Sequence, residues 1–288
     1  MYPEMNTKGH SAHCLLRGFG AAVVVVIMTS AVFAAQAPVK QRGFASAEEA
    51  VKAFATAAKA DDDNELLAIF GSTAKDLIFS GDPVSDKERR TRLIEAYDQK
   101  NSLVKAGKRM FITIGEKDWP FPIPLVQQGG KWIFDAKAGK EEVLNRRIGQ
   151  DELYTIQSLL AIVDAQREYA MADHDGNGLL EYAENFWSNP GKKNGLYWET
   201  KEGEEPSPLG ELIVKARAGG YQQKGTKHNP MPYQGYYYRM LYKQGKHAPG
   251  GAFDYRVKKN QIGGFAVIAY PATYRNSGVM TFIVNHEG

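Results

Sequence analysis

The residues whose types and spacing best support a chemical role lie between positions 173 and 184. Oxygen-bearing side chains stand at the first, third, fifth, ninth and twelfth places of this segment, and a glycine at the sixth place permits a sharp turn. The backbone carbonyl at the seventh place supplies one more oxygen. Because Ca²⁺ takes about six to eight oxygen ligands, the pattern predicts one EF-hand-like calcium loop. Its predicted ligands are Asp173, Asp175, Asn177, Leu179, Glu181 and Glu184, with Gly178 at the turn.

Calcium sensors usually pair two such loops so that binding opens a groove, and no second loop of this pattern occurs in the sequence. A single loop therefore favours a structural calcium ion. The alternative is an Asx-rich turn that only caps a helix. That alternative gives no reason for a glutamate at both the ninth and the twelfth place. We expect His174 to point outwards and not to bind the ion.

Other residues that could do chemistry give weaker signals. His228, His247 and His286 have no spacing that forces them together, although His247 lies in a Gly/Pro loop where a general base could be exposed. Ser207 and Ser277 stand outside any G-x-S-x-G elbow, so a serine hydrolase is unsupported. No P-loop or dinucleotide fingerprint occurs. The sequence therefore predicts a protein that is more a binding component than an enzyme.

The first 34 residues have the pattern of a secretory signal peptide. Lys8 and Arg17 precede an apolar run at 18–33, and small residues follow near Ala34. The only cysteine, Cys14, lies inside this leader, so the mature chain has no thiol nucleophile and no disulfide. We expect a periplasmic or secreted protein that meets the membrane only through the leader before cleavage.

After a linker at 35–42, residues 43–149 are predicted to form an α+β domain. Helices are indicated at 46–60, with Ser46 as N-cap, at 65–70 and at 86–100, and strands at 110–114 and 132–134. The alternating prolines of 119–126 restrict that segment to an edge strand. Helices packed on a small antiparallel sheet resemble the cystatin-like and cone-shaped domains related to nuclear transport factor 2, over about 100 residues.

Residues 150–288 are predicted to form a second domain. A long helix at about 139–172, with a possible break at Gly149 and Asp151 as a cap, joins the two. Its expected apolar stripe consists of Leu153, Ile156, Leu159, Leu160, Val163 and Ala170. After the calcium loop, a short helix at 212–218 precedes an antiparallel β-meander, with strands at 236–242, 252–258, 262–270 and 279–285.

Charge divides the mature chain into two halves. Residues 43–205 carry 21 Lys and Arg against 29 Asp and Glu, whereas residues 206–288 carry 11 against 3. Nine of the fifteen tyrosines lie between Tyr221 and Tyr274 among these basic residues. One interpretation is a polyanion-binding face, and the preferred one is a sheet that buries its tyrosines and exposes its lysines. Nucleic acid is not expected as a partner outside the cytoplasm.

Several segments together resemble a known family. They include Ser80-Gly-Asp-Pro-Val, Trp119-Pro-Phe-Pro-Ile-Pro and residues 43–50, 164–170, 195–198, 247–251 and 277–285. The chain resembles the bacterial secreted proteins of domain of unknown function family 2950 over essentially all of 43–288. That resemblance implies no activity and no catalytic residue. Family members usually continue past residue 288, so we expect a further strand there. The C-terminal region also weakly resembles the globular domains of pilins and pseudopilins.

These observations predict an exported envelope protein of two α+β domains, acting as a noncatalytic binding or assembly component stabilised by one structural Ca²⁺. Its partner would be an envelope protein or polymer. Two alternatives remain: an envelope hydrolase or glycan-modifying enzyme that uses His247 with a carboxylate, and a polyanion-binding module.

Overall fold

The computed structural model describes residues 40–221 and 230–288. All of them belong to one compact unit, Pro38–Gly288. The predicted leader, most of the predicted linker and His228 lie outside the described residues. The structure mixes helices with mainly antiparallel sheets, which confirms the α+β class.

The N-terminal helices begin where side chains cap them. They are α1 (Ala47–Lys59), α2 (Asp63–Phe70), α3 (Lys75–Ile78), preceded by a 3₁₀ turn (Ser72–Ala74), and α4 (Pro83–Gln99). Ser46 accepts a hydrogen bond from Glu49 N–H at 3.1 Å, as predicted for α1. The predicted start of α4 at 86 is too late, because Asp82 caps the helix and Pro83 fits its first position.

These helices pack on a five-stranded antiparallel sheet. Its strands are β1 (Asn101–Ala106), β2 (Arg109–Ile114), β3 (Trp119–Pro120), β4 (Leu125–Gln128) and β5 (Lys131–Phe134), in the order β1-β2-β4-β5 with β3 also paired to β2. Strand β1 was not predicted from the sequence, because it is largely exposed and lacks apolar alternation. The proline-rich segment 119–126 forms the two-residue β3 and, after its last proline, the start of β4, since proline cannot donate to a ladder.

A single long helix, α5 (Ala136–Tyr169), follows the sheet. Gly149 does not interrupt it. Asp151 does not cap a helix, because it lies inside α5 and is fully buried. The cap is Asp135, whose side chain accepts from Ala138 N–H at 3.1 Å.

The C-terminal part contains shorter strands than predicted. They are β6 (Asn185–Trp187) and β7 (Gly195–Tyr197), then, after α6 (Gly210–Ala218), β8 (Tyr236–Leu241), β9 (Lys243–Gln244), β10 (Phe253–Asp254), β11 (Ala266–Pro271) and β12 (Phe282–Asn285). The main sheet is antiparallel in the order β12-β11-β8. Strands β9 and β10 form a separate hairpin, so the predicted four-strand meander is wrong at 252–258.

The predicted apolar stripe of α5 is only partly buried. Leu159 and Val163 lie in the core, whereas Leu153, Ile156 and Leu160 are 63%, 41% and 54% exposed. The buried side of α5 is partly polar and includes Asp151, Thr155, Ser158 and Gln166. Periodicity predicted only part of the buried face. Asp151 and Gln166 find partners in distant segments, which offsets part of the cost of burying them.

Two apolar clusters lie along α5. One joins α1 and α2 to the five-stranded sheet and includes Phe54, Phe70 and Phe134. The other joins the second half of α5 to β8, β11 and β12 and includes Leu159 and Val267. The division into domains at 43–149 and 150–288 stays a prediction.

Candidate functional sites

The acidic loop at 173–184 connects the end of α5 to β6. Gly176 and Gly178 have φ values of 77° and 81°, in the left-handed region that glycine adopts without strain. The chain therefore turns sharply at the sixth place of the loop, as the sequence predicts. No helix follows the loop, because β6 begins directly at Asn185.

Asp173 organises the first half of this loop. Its Oδ1 accepts from Gly176 N–H at 2.8 Å and its Oδ2 accepts from Gly178 N–H at 2.8 Å. The Gly178 bond, with those from Gly176 and its neighbours, holds the pKa of Asp173 below its usual value. These hydrogen bonds therefore favour the charged form of the carboxylate.

Asn177 connects two further predicted ligands. Its Nδ2 donates to Asp175 Oδ2 at 3.1 Å and to Glu181 Oε1 at 3.0 Å. Its Oδ1 accepts from Leu179 N–H at 2.8 Å. Asp173, Asp175, Asn177 and Glu181 are therefore brought together, and Leu179 lies beside them through its backbone.

Glu184 is directed elsewhere. Its Oε1 lies 3.6 Å from Arg256 Nη2, and the Arg256 guanidinium stacks 3.5 Å above the Tyr242 ring. Across 40–221 and 230–288, no group of three or more His, Cys, Asp or Glu side chains is arranged to hold a metal ion. Calcium binding at this loop would require Glu184 to leave Arg256.

The loop is also tied to the rest of the fold. Glu181 Oε2 accepts from Gln261 N–H at 3.0 Å, and Tyr182 N–H donates to the Gln261 carbonyl at 3.0 Å. His174 does not point outwards as expected. Its ring stacks on Tyr169 with centroids 4.2 Å apart.

A second candidate site, which the sequence did not indicate, is a buried ionic network between α4 and α5. Arg89 Nη1 lies 2.9 Å from Asp151 Oδ1, and Arg89 Nη2 lies 2.9 Å from Asp86 Oδ1. Arg89 Nη2 also donates to Ser80 Oγ at 3.0 Å. Asp151 is fully buried and Asp86 nearly so. One guanidinium therefore serves two buried carboxylates from different helices.

Asp82 extends this network to the C-terminal part. Besides capping α4, it accepts from Tyr221 Oη and from Gly235 N–H, both at 2.9 Å. Burial raises the pKa of Asp82, and the hydrogen bonds from Gly235 and Ser85 oppose that rise. These contacts link positions 139 and 153 residues apart in the chain.

Arg147 makes a second connection between distant segments. Its guanidinium donates to the carbonyls of Asp76 and Leu77, at 2.7 and 2.5 Å, and to Asn276 Oδ1. Asn276 Nδ2 in turn donates to the Phe79 carbonyl at 2.7 Å. Burial, reinforced by the charge of Arg89, lowers the pKa of Arg147 to about 10.

Asp151 is the most strongly perturbed carboxyl of the network. Burial raises its pKa to about 7, although the charges of Arg89 and Arg147 favour its ionised form. Its Oδ2 has no hydrogen-bond partner among the described residues. Such a shift often marks a functional group. Here the side chain has no exposed surface, so no substrate reaches it without a structural change.

Sequence reasoning missed this network because its members have no common spacing. The available signal lay in the segments that carry the family resemblance. Ser80-Gly-Asp-Pro-Val lies against the turn just before the segment 277–285, since a Cβ at Gly81 would lie 2.5 Å from Thr273 Oγ1.

The remaining candidate residues do not converge. His247 is exposed in the turn between β9 and β10, and no hydrogen bond or ion pair with a described carboxylate involves it. His286 packs its ring against Tyr255, at 5.8 Å between centroids.

Tyr236 and Tyr255 are buried, whereas Tyr270 and Tyr274 are 39% and 63% exposed. The tyrosines therefore divide between core and surface.

Within the described parts of the chain, no helix is long and apolar enough to cross a membrane. No curated protein and no solved structure matches the chain. The sequence model of the family described as "Protein of unknown function (DUF2950)" matches residues 41–288. The match covers well over half of the chain and agrees with the resemblance seen in the sequence, and the chain therefore belongs to the DUF2950 family.

Proposed function

We propose that this protein is a noncatalytic binding or assembly component of the bacterial envelope, exported by the leader at 1–34. The observation that carries the proposal is the placement of its perturbed ionisable groups. Asp82 and Asp151 have no exposed surface. Asp82 accepts from Tyr221 and Asp151 pairs with Arg89, so both carboxyl groups hold separate segments of the fold together. An enzyme would instead present such groups to a cleft that substrate can enter.

We further propose that the loop at 173–184 binds one structural calcium ion. The support is local. Hydrogen bonds favour the charged form of Asp173, and Gly178 forms a left-handed turn. Asp175 and Glu181 both accept from the side-chain amide of Asn177. Six oxygens would close around the ion if Glu184 turned away from Arg256 and Asn177 presented its Oδ1. The ion would then fix the end of α5 to the segment that starts β6.

A thermal melt with calcium or with a chelator tests the ion, because a ligand that binds only the folded state must raise Tm. Asp175→Ala and Glu184→Ala should abolish the calcium-dependent rise. Asp164→Ala is the matched control, since this carboxylate lies on the surface of α5 with 79% of its side chain exposed. A calcium response that survives in both loop variants would exclude the site.

The envelope role is tested by pull-down of the mature protein from envelope extracts at low and high salt. A specific partner retained at high salt supports a binding or assembly component. Partners that are lost steeply with salt would instead support the polyanion-binding alternative. Turnover of an envelope glycan that His247→Ala abolishes would overturn the noncatalytic proposal.

We also propose that α1, α2, α4 and the five-stranded sheet form a cone-shaped domain of the cystatin or nuclear transport factor 2 type. The support is the packing of these helices on an antiparallel sheet around one apolar cluster. Superposition of an experimental structure on such domains would test this likeness.

A further inference from the structure

A cavity of about 320 Å³ lies between the N-terminal helices, the start of α5 and the five-stranded sheet. Its volume is at the lower end of the range for small-molecule sites, which is roughly 300 to 1,000 Å³. Residues from α1, α2, α3, α4 and α5 contribute to its walls, together with the segment from Trp119 to Ile123. None of the predicted calcium ligands lines it.

One part of the wall is aromatic and buried. Phe54 lies 5.5 Å from Phe70 and 5.1 Å from Phe121, measured between ring centroids. All three side chains belong to the buried apolar cluster and also line the cavity. Apolar walls of this kind favour a hydrocarbon group, because burial removes its surface from water.

The polar part of the wall consists mainly of arginines, three of which already pair with carboxylates: Arg89 with Asp151, Arg90 with Asp63 and Arg146 with Glu142. Four arginines line the cavity, and the only acidic side chain among its lining residues is Asp86. Asp86 is already bonded through one oxygen to Arg89 and through the other to Ser80 N–H. The four arginines are Arg89, Arg90, Arg146 and Arg147.

Arg147 is the arginine whose charge is least compensated. It is buried, its guanidinium bonds only to neutral oxygens, and it forms no salt bridge with any described residue. Its Nε is buried without an acceptor. Buried charges are normally paired, because an isolated ion is costly to remove from water. The carboxylates of Asp86, Asp151 and Asp76 act on Arg147 only through space, and an anion at this wall would be a direct partner.

Arg146 lies nearer the surface, with 39% of its side chain exposed. Its guanidinium stands 4.5 Å from the centre of the Trp119 ring, and Trp119 is 38% exposed. Both residues line the cavity, so it reaches solvent at Arg146 and Trp119, whereas its phenylalanine wall is buried.

We propose that this cavity binds a single-chain amphiphile with an anionic head, its hydrocarbon chain against Phe54, Phe70 and Phe121 and its head towards Arg146 and Arg147. The volume is sufficient for about ten water molecules, so a chain of on the order of ten non-hydrogen atoms is a suitable probe. The inference rests on the proposed role as a binding component and is independent of the calcium ion.

Calorimetric titration of the full chain with decanoate, below its micelle concentration, tests the proposal directly. One molar equivalent should bind, and decyl phosphate should compete for the same site. Decanol and decyltrimethylammonium carry the same chain without the anionic head, and we expect each to bind at least about tenfold more weakly. Equal affinity for all four compounds would overturn the role of the arginines.

Two variants locate the site on the chain. Val143→Phe, on the cavity wall, should abolish decanoate binding by filling the space, and Arg146→Gln should weaken it about tenfold. Their matched controls are Leu153→Phe and Arg167→Gln, which change exposed residues of the same helix away from the cavity. Unchanged binding in Val143→Phe, with a normal melting curve, would exclude the cavity.

Failure of this inference is distinguishable from failure of the proposed function. If decanoate does not bind while an envelope partner is retained at high salt, the cavity proposal is wrong and the binding role stands. If decanoate binds and His247-dependent turnover is found, the cavity proposal stands and the noncatalytic role is wrong.

Discussion

The carboxylate of Asp151 and the guanidinium of Arg89 meet at 2.9 Å, although they belong to different helices and Asp151 has no exposed surface. A charge removed from water in this way is tolerated only when a partner of opposite charge is held in place. Arg89 is therefore the residue on which the stability of the buried network depends most.

Replacing Arg89 with methionine should destabilise the protein by about 3 kcal/mol, because it leaves Asp151 and Asp86 buried without their cation. Urea unfolding at neutral pH measures the loss. Arg92→Met is the control on the same helix, and its exposed pair with Glu88 should contribute less than about 1 kcal/mol. Equal effects of the two substitutions would contradict the importance of the buried pair.

The pH dependence of stability should carry a contribution from Asp151. Its pKa is about 7 in the folded protein, against an ordinary value of 3.8. Between these values the folded state binds more protons than the unfolded state, so this contribution is fully present below pH 3.8 and is lost as pH rises through 7. The groups that act on it are Arg89, Arg147, Asp82 and Asp86.

Asp151→Asn removes this titration. As pH rises from 5 to 8, the wild-type protein should lose stability relative to the variant, by at most about 1.4 kcal/mol per pH unit. Urea midpoints at the two pH values give the difference. Parallel pH profiles for the two proteins would show that Asp151 keeps an ordinary pKa.

Gly235 is expected to tolerate no side chain. Its φ is 79°, and a Cβ there would lie 2.6 Å from Asp151 Oδ2. Gly235→Ala should therefore cost about 2 kcal/mol or more in unfolding free energy. Gly245→Ala is the matched control, because that position has open space around it. A neutral effect at Gly235 would mean that Asp151 is free to move aside.

Tyr221 should stabilise the fold through Asp82. Tyr221→Phe removes the hydroxyl that donates to Asp82 at 2.9 Å and leaves a buried carboxylate with one donor fewer. We expect a loss of about 1.5 to 3 kcal/mol, which chemical denaturation would detect. Tyr274→Phe, at a 63% exposed ring, should change stability by less than about 0.5 kcal/mol.

Arg256 should compete with calcium for Glu184. Arg256→Gln frees that carboxylate from an ion pair of 3.6 Å, so calcium affinity should rise in the variant. Calorimetric titration with CaCl₂ compares it with Arg239→Gln, an exposed arginine of β8. Weaker calcium binding in Arg256→Gln would contradict the proposed closure of the loop around the ion.

Local features were well predicted from the sequence. The cap at Ser46, strand β8 and the turn at Gly178 depend on neighbours within a few residues, and each is found where expected. Strand β1 was not predicted, and the two-residue strands β3, β9 and β10 were either not predicted or predicted as longer strands. Their pairing depends on the neighbouring strand more than on their own apolar pattern.

The sequence by itself determined the α+β class and the acidic loop, because these follow from periodicity and spacing, and the resemblance of several short segments indicated the family. Only the tertiary structure decided which face of α5 is buried. Leu153 and Leu160 are exposed while Asp151 and Gln166 are enclosed, because polar partners arrive from other segments. Arg147 and Asn276 are 129 residues apart, and no local pattern encodes a contact between positions so distant in the chain.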